Sequence, residues 1–302
     1  MKLEQRNWSP GRGWQTLEGQ PGIAPSLVLF FAGPGTVDDG ARFAELRAAY
    51  PKALIAGCTS GGEISDLDVR DGTVAATAIE FESTALRCAQ ERIEPGKSSF
   101  SIGKRLGLAL PRDQLRGVFV LADGIKTNGT DLVAGLQDVL GPEIAVTGGL
   151  AGDGASFVAT RVGLNANPAE GVVAVVGFYG DHIRLGYGSV GGWDAVGPER
   201  VITHADANTL FDLDGVPALD LYKQYLGTEA VNLPASALLF PLKIYPRGQP
   251  DAGLVRTVVG IDERQKAMIF AGSMPQGYVA QMMLGHFDNL VAGAGRAARQ
   301  AA

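Results

Sequence analysis

Apolar residues along the chain fall into runs of strand length separated by polar and glycine-rich breaks. Leu27-Val28-Leu29-Phe30-Phe31 has the length and continuity of a buried strand over 27–31. Phe43, Leu46 and Ala49 then recur at helical spacing and predict a helix over 38–50, which Pro51 stops. A second strand is expected over 53–57, followed by short alternating runs over 73–81 and 85–92. Glu82-Ser83-Thr84 between those runs is a hairpin signal. The order then repeats, with a strand over 117–122, a helix over 129–140, and strands over 144–148, 171–179 and 183–189. Ile102, Leu106 and Leu110 mark a connecting helix over 100–110 between the two units.

The repetition is visible in the glycines. Gly33 and Gly124, Gly57 and Gly148, and Gly61 and Gly152 are each 91 positions apart. One spacing kept at three glycines points to a duplicated unit with loops in equivalent places. Gly72-Thr73-Val74-Ala75-Ala76 matches Gly171-Val172-Val173-Ala174-Val175 at a spacing of 99, so about eight residues are added after the second loop. The expected fold is α/β, with mixed sheets built from a duplicated β-α-β-β-β unit at about 27–95 and 117–190. A first region then spans 27–200, and a further α+β region occupies 201–302. In it, a polar hairpin-like stretch ends at Asp214-Gly215, a helix begins at Pro217, and strands follow over 237–245, 255–260, 268–272 and 278–284. The last element is an amphipathic helix over 288–302 with an apolar stripe of Leu290, Val291, Ala294 and Ala298.

Composition narrows the function classes. A 302-residue chain that is 46% apolar buries about three quarters of its unfolded surface without a staple. Lys and Arg number 26 against 32 acidic residues, a formal charge of −6, and no basic run exceeds two residues, so neither nucleic acid nor an anionic membrane surface is an expected partner. The first residues carry no apolar signal region and no apolar run reaches membrane-spanning length, which predicts a cytoplasmic protein. Cys58 and Cys88 make no disulfide framework, and His182, His204 and His286 are too scattered for a structural zinc site.

The glycine loops hold the candidate chemistry. The 57–63 loop resembles a phosphate cradle, but a P-loop needs Lys followed by Ser or Thr after its last glycine, and Glu63-Ile64 stands there instead. Gly186-Tyr187-Gly188-Ser189-Val190-Gly191 fits G-x-G-x-x-G, yet Gly192-Trp193-Asp194-Ala195-Val196-Gly197-Pro198 cannot open the helix that a dinucleotide site requires, so the match reads as accidental. Cys58 stands where a nucleophile would be exposed, but neither loop supplies a histidine base; the plainer reading is a small buried residue. Asp66 and Asp68, like Asp212 and Asp214, lack the twelve-residue loop of a calcium site and read as turn residues. Trp193 serves equally as a flat lid over a pocket or as a core side chain. Loops at strand ends where a sheet changes order are where α/β proteins take small molecules. The ligand-binding set expected on that ground is Gly57, Cys58, Thr59, Ser60, Gly61 and Glu63 from the first loop, Gly148, Gly149, Gly152 and Asp153 from the second, and Trp193 near the rim. No catalytic residue is expected.

Four motifs in order, 56–64, 147–154, 191–194 and 213–223, make the chain resemble FIST (F-box and intracellular signal transduction) proteins, with 27–200 as the amino-terminal region and 201–302 as part of the carboxy-terminal one. The resemblance implies a non-enzymatic sensory module for a small ligand, acting on a histidine kinase or on a diguanylate cyclase or phosphodiesterase in trans. It is closest to stand-alone bacterial members that bind haem b and sense nitric oxide. Sensing of amino acids or related metabolites without haem is the alternative the family offers, and a hydrolase using Cys58 is the alternative from another class. Family members of this type continue with a further cysteine- and glycine-containing segment and a final strand bearing a histidine-asparagine pair, so the chain is expected to be truncated after Ala302.

Overall fold

The computed structural model describes residues 1–19, 22–94 and 96–302. The chain divides into two compact units, residues 1–127 with 132–184, and residues 128–131 with 185–302.

The first unit opens with two strands that the periodicity does not announce, β1 (Lys2–Ser9) and β2 (Gly13–Gly19). Then come β3 (Leu27–Ala32), α1 (Ala41–Ala49), β4 (Leu54–Thr59), the short β5 (Glu63–Ser65) and β6 (Asp68–Arg70), β7 (Val74–Glu80) and β8 (Ala85–Arg92). The second half holds α2 (Ser99–Leu108), β9 (Leu115–Ala122), α3 (Gly129–Leu140), β10 (Ala145–Leu150), β11 (Val162–Leu164) and β12 (Val172–Tyr179). One mixed sheet runs β11-β4-β3-β7-β1-β2 and the other β10-β9-β12-β8, while β5 and β6 pair only with each other. In each mixed sheet one pair is parallel, β3 with β4 and β9 with β10, and the remaining pairs are antiparallel.

The fold is α/β with mixed sheets, and β4 and β10 begin and end 91 positions apart. The unit itself differs from the expected one in two places. The reversal at 82–84 does not make a hairpin: β7 stays in the first sheet, and β8 crosses to the second and pairs with β12 from Arg92↔Val172 to Ala85↔Tyr179. In return β11, which lies in the inserted segment, crosses back and pairs with β4 at Val162↔Cys58. The stretch 183–189, expected as the matching last strand, is irregular. The position of β8 beside β12 is the one β1 holds beside β7, so the repeated unit starts with that strand rather than ending with it. Helix α1 starts three residues later than expected, with Ala49 exposed and Leu46 buried.

Each sheet turns one face to its helices. Val28, Phe30 and Ala32 pack with Leu46 and Tyr50 on the first, and Val118 and Val120 with Leu106, Leu132 and Leu136 on the second. Alternation along β3 and β9 therefore sends Phe31, Phe119 and Leu121 to the opposite faces.

The second unit contains β13 (Trp193–Ala195), β14 (Arg200–Asp206), β15 (Thr209–Leu213), β16 (Val216–Pro217), α4 (Ala218–Leu226), β17 (Leu242–Tyr245), β18 (Leu254–Arg256), β19 (Val258–Asp262), β20 (Ala267–Phe270), β21 (Val279–Gly285) and α5 (Phe287–Ala301). Its sheet runs β18-β17-β21-β14-β15-β20-β19, with β13 on β21 and β16 on β15, around a core of Ile202, Leu210, Leu219, Tyr222 and Phe270. The strand expected over 237–245 is shortened to its last four residues, and 255–260 is split between β18 and β19. Gly186, Gly188 and Gly192 have a packing role: a Cβ on any of them would run into the backbone of α5 at Ala301, Ala297 or Asn289. The G-x-G-x-x-G match is thus a glycine track that lets α5 lie close, and the face of α5 turned to it is Gly293, Ala297 and Ala301. Val291, Ala294 and Ala298 of the expected stripe are exposed.

Candidate functional site

The loops after β4 and β10 meet at a cavity of about 420 Å³ in the first unit. Phe31, Cys58, Thr59, Ser60 and Gly61 line it from the first half of the repeat. Phe119, Leu121, Thr147, Gly148, Gly149, Leu150 and Gly152 line it from the second. Pairing register explains the set. Phe31 stands beside Cys58, Phe119 beside Thr147 and Leu121 beside Gly149, and neighbours in register project from the same face of a sheet. Cys58, Thr59 and Leu121 are buried at the floor, and Gly61, Gly148 and Gly149 are exposed at the mouth. A space of this size suits a small organic molecule.

Hydrogen bonds fix the loop geometry. Ser60 N–H donates to the Ala32 carbonyl at 3.0 Å, and Ala151 N–H makes the equivalent bond to Ala122 at 2.8 Å. Gly152 N–H donates to the Thr59 carbonyl at 3.0 Å and so ties the second loop to the first. Glu63 is buried, and its carboxylate accepts from Ser60 Oγ at 2.7 Å, Thr73 N–H at 3.0 Å and Thr73 Oγ1 at 3.2 Å. Asp153 accepts from the N–H groups of Phe157, Val158 and Ala159. Asp123, at the end of β9, accepts from Ile125, Lys126 and Gly171 N–H and from Thr160 Oγ1. These buried carboxylates are satisfied by loop backbone and hydroxyls, which makes them braces for the cavity rather than part of its surface.

Of the residues expected at the site, Cys58, Thr59, Ser60, Gly61, Gly148, Gly149 and Gly152 come together in the cavity lining. Gly57 is inside β4 and gives room to the Phe30 ring, which a Cβ would overlap. Glu63 and Asp153 do not line the cavity. Trp193 belongs to the second unit, where β13 pairs it with Gly285, and it is not a lining residue. The sequence reading missed Phe31, Phe119, Leu121, Thr147 and Leu150. The signal was present in part, since Phe31 is two residues before Gly33 and Leu121 two before Asp123, on the strand face left over once the helix-facing residues are assigned.

Among the described residues no charged side chain lines the cavity. Burial away from water pushes the Cys58 thiol up to about 12, so it is a neutral thiol at physiological pH. Its surroundings supply neither a lowered pKa nor a base, the two routes to an activated cysteine. Haem is a poor match for the donors present. His182, His204 and His286 are exposed and none lines the cavity, and a neutral, buried thiol is a weak axial donor. Among the described residues no group of three or more His, Cys, Asp or Glu side chains is placed to hold a metal ion. No described helix is long and apolar enough to cross a membrane.

Comparison with protein families gives two adjoining matches, to the FIST N domain over residues 26–216 and to the FIST C domain over residues 218–302. No curated protein matches the chain.

Proposed function

The chain belongs to the FIST family, whose domains are small-ligand sensor domains of signal transduction rather than catalytic ones, and on that premise we propose that the cavity between the two glycine loops is the sensory site. The observation that carries the proposal is the composition of the lining, drawn from equivalent strands and loops of both halves of the repeat. A ligand seated there touches two loops that a single bond, Gly152 N–H to the Thr59 carbonyl, already couples. Its arrival therefore bears on both halves at once.

The ligand we propose is a small organic molecule bound without haem, since the lining offers hydroxyls, a thiol, backbone and aromatic surface but no axial donor suited to iron. The signal then passes in trans, to a histidine kinase or to an enzyme that makes or degrades cyclic di-GMP, the partners that the family resemblance implies. A thermal-shift screen of a metabolite panel on the full chain and on Gly149→Phe tests the site. A compound that raises the melting temperature of the parent and leaves that of the variant unchanged supports it. Compounds that shift both proteins equally count against this cavity as the sensory site.

A further inference from the structure

We infer that the cavity takes an uncharged, largely apolar ligand seated over Gly149, an assignment that rests on the sensory reading of this site. Gly149 is the first ground. Its backbone φ lies outside the positive range that favours glycine, and a Cβ there would meet nothing within 4 Å, so the fold does not require glycine at this place in a strand. Gly148 beside it differs: it has φ +138 and its Cβ would collide with the Val120 carbonyl. Gly149 pairs with Leu121 and shares its face, so the missing side chain leaves space directly in the cavity. Cys58, 91 positions earlier, fills the matching space in the first half with its thiol. The repeat is hollowed on one side only, at the exposed mouth, where a ligand would enter.

Charge is the second ground. Among the described residues the buried carboxylate hydrogen-bonded to a lining side chain is Glu63, which already receives three hydrogen bonds, one of them from Ser60. That bond uses the Ser60 hydroxyl hydrogen, so Ser60 presents lone pairs to the cavity, backed by a negative charge that disfavours an anion. A cationic ligand would find no carboxylate in the lining. An ion of either sign would lose its hydration without compensation. For a neutral molecule the polar groups suffice. Thr147 pairs with Phe119 and shares its cavity face, and its side chain makes no hydrogen bond with the described residues, which leaves the hydroxyl to donate or accept. Phe31 and Phe119 supply apolar ring surface.

The test titrates the full chain with N-phenyl-1-naphthylamine, which is neutral and fluoresces on entering an apolar site, and with 8-anilino-1-naphthalenesulfonate, a similar aryl amine bearing a sulfonate. The expected result is saturable one-site binding of the neutral probe, with the sulfonate weaker by about tenfold or more. Gly149→Leu and Thr147→Leu, each with an unchanged melting temperature, should weaken the neutral probe by a similar factor. Equal or tighter binding of the sulfonate, lost in Gly149→Leu, overturns the assignment of an uncharged ligand and leaves the site standing. Absence of binding by either probe, or binding that neither substitution affects, overturns the site as well.

Discussion

Thr59 and Arg161 hold each other by two hydrogen bonds: Thr59 N–H donates to the Arg161 carbonyl at 2.9 Å, and Arg161 N–H donates to Thr59 Oγ1 at 3.0 Å. The pair fastens the segment entering β11 to the end of β4, so the inserted piece of the second half closes one side of the first half's loop. Thr59 is fully buried. Thr59→Val keeps the shape and the backbone bond but leaves the Arg161 N–H without its acceptor. The expected loss is about 1–3 kcal/mol of unfolding free energy, read as a lower urea midpoint with an unchanged slope.

Cys58 gives a prediction in pH. Its thiol, ordinarily at 9.0, is raised to about 12 by desolvation in the folded protein, whereas the unfolded chain exposes it. Between those values the unfolded state binds fewer protons than the folded one, so this contribution to stability is intact below pH 9 and is lost as pH rises towards 12. Cys58→Ala should flatten the alkaline fall in stability by up to one proton's share, about 1.4 kcal/mol per pH unit. Iodoacetamide at pH 8 should label the exposed Cys88 well before Cys58. Labelling of Cys58 first would point to an activated thiol and reopen a nucleophilic role.

Much of the architecture was legible because the duplication repeats its glycines. Gly57 with Gly148 and Gly61 with Gly152 locate both loops, and the strands before them end where that spacing requires. What the sequence did not reveal is which sheet receives a strand. Glu82-Ser83-Thr84 marks a chain reversal, but a reversal is a local event, and the partner of β8 is chosen by the distant apolar face of β12. Strand β1 is unreadable for the same reason, since Lys2-Leu3-Glu4-Gln5-Arg6 is largely polar and gains its place by pairing with β7 and β2. At the site, loop position marks the glycines and Cys58, whereas Phe31, Phe119 and Leu121 sit inside apolar runs that look the same whichever face they turn to the cavity. Glu63 and Asp153 are charges beside the loops whose chemistry turns inward, Glu63 to Ser60 and to Thr73 after β6, and Asp153 to the N–H groups that follow it.

Two glycines of the second unit should respond in opposite directions. Gly188 faces the Ala297 carbonyl of α5 so closely that Gly188→Ala must push the helix outward, at a cost of about 1–3 kcal/mol. Gly295, on the helix itself, meets only the flexible end of Arg299, and Gly295→Ala should stabilise by up to about 1 kcal/mol through helix propensity. Hydrogen exchange of the α5 amides should be faster in the first variant and slower in the second. Equal exchange in both would mean that the glycine track does not seat the helix.

Glu63 is where loop geometry and ligand binding are joined. Its two oxygens divide their partners, Oε1 receiving Ser60 Oγ and Oε2 receiving Thr73 N–H and Oγ1, so one buried side chain anchors both the lining residue and the backbone that leads into β7. Glu63→Gln keeps an acceptor for Thr73 N–H and turns its amide towards Ser60, whose hydroxyl can accept instead. Glu63→Ala leaves the buried Thr73 N–H unpaired and Ser60 unanchored, with an expected stability loss of about 1–3 kcal/mol. Affinity of the neutral probe for the cavity should follow the same order, parent above Gln above Ala, because a loosened Ser60-Gly61 loop must be ordered again on binding. Calorimetry of unfolding and probe titration on the three proteins checks this. An alanine variant that loses stability but binds the probe as tightly as the parent would separate the brace from the cavity and confine Glu63 to the fold.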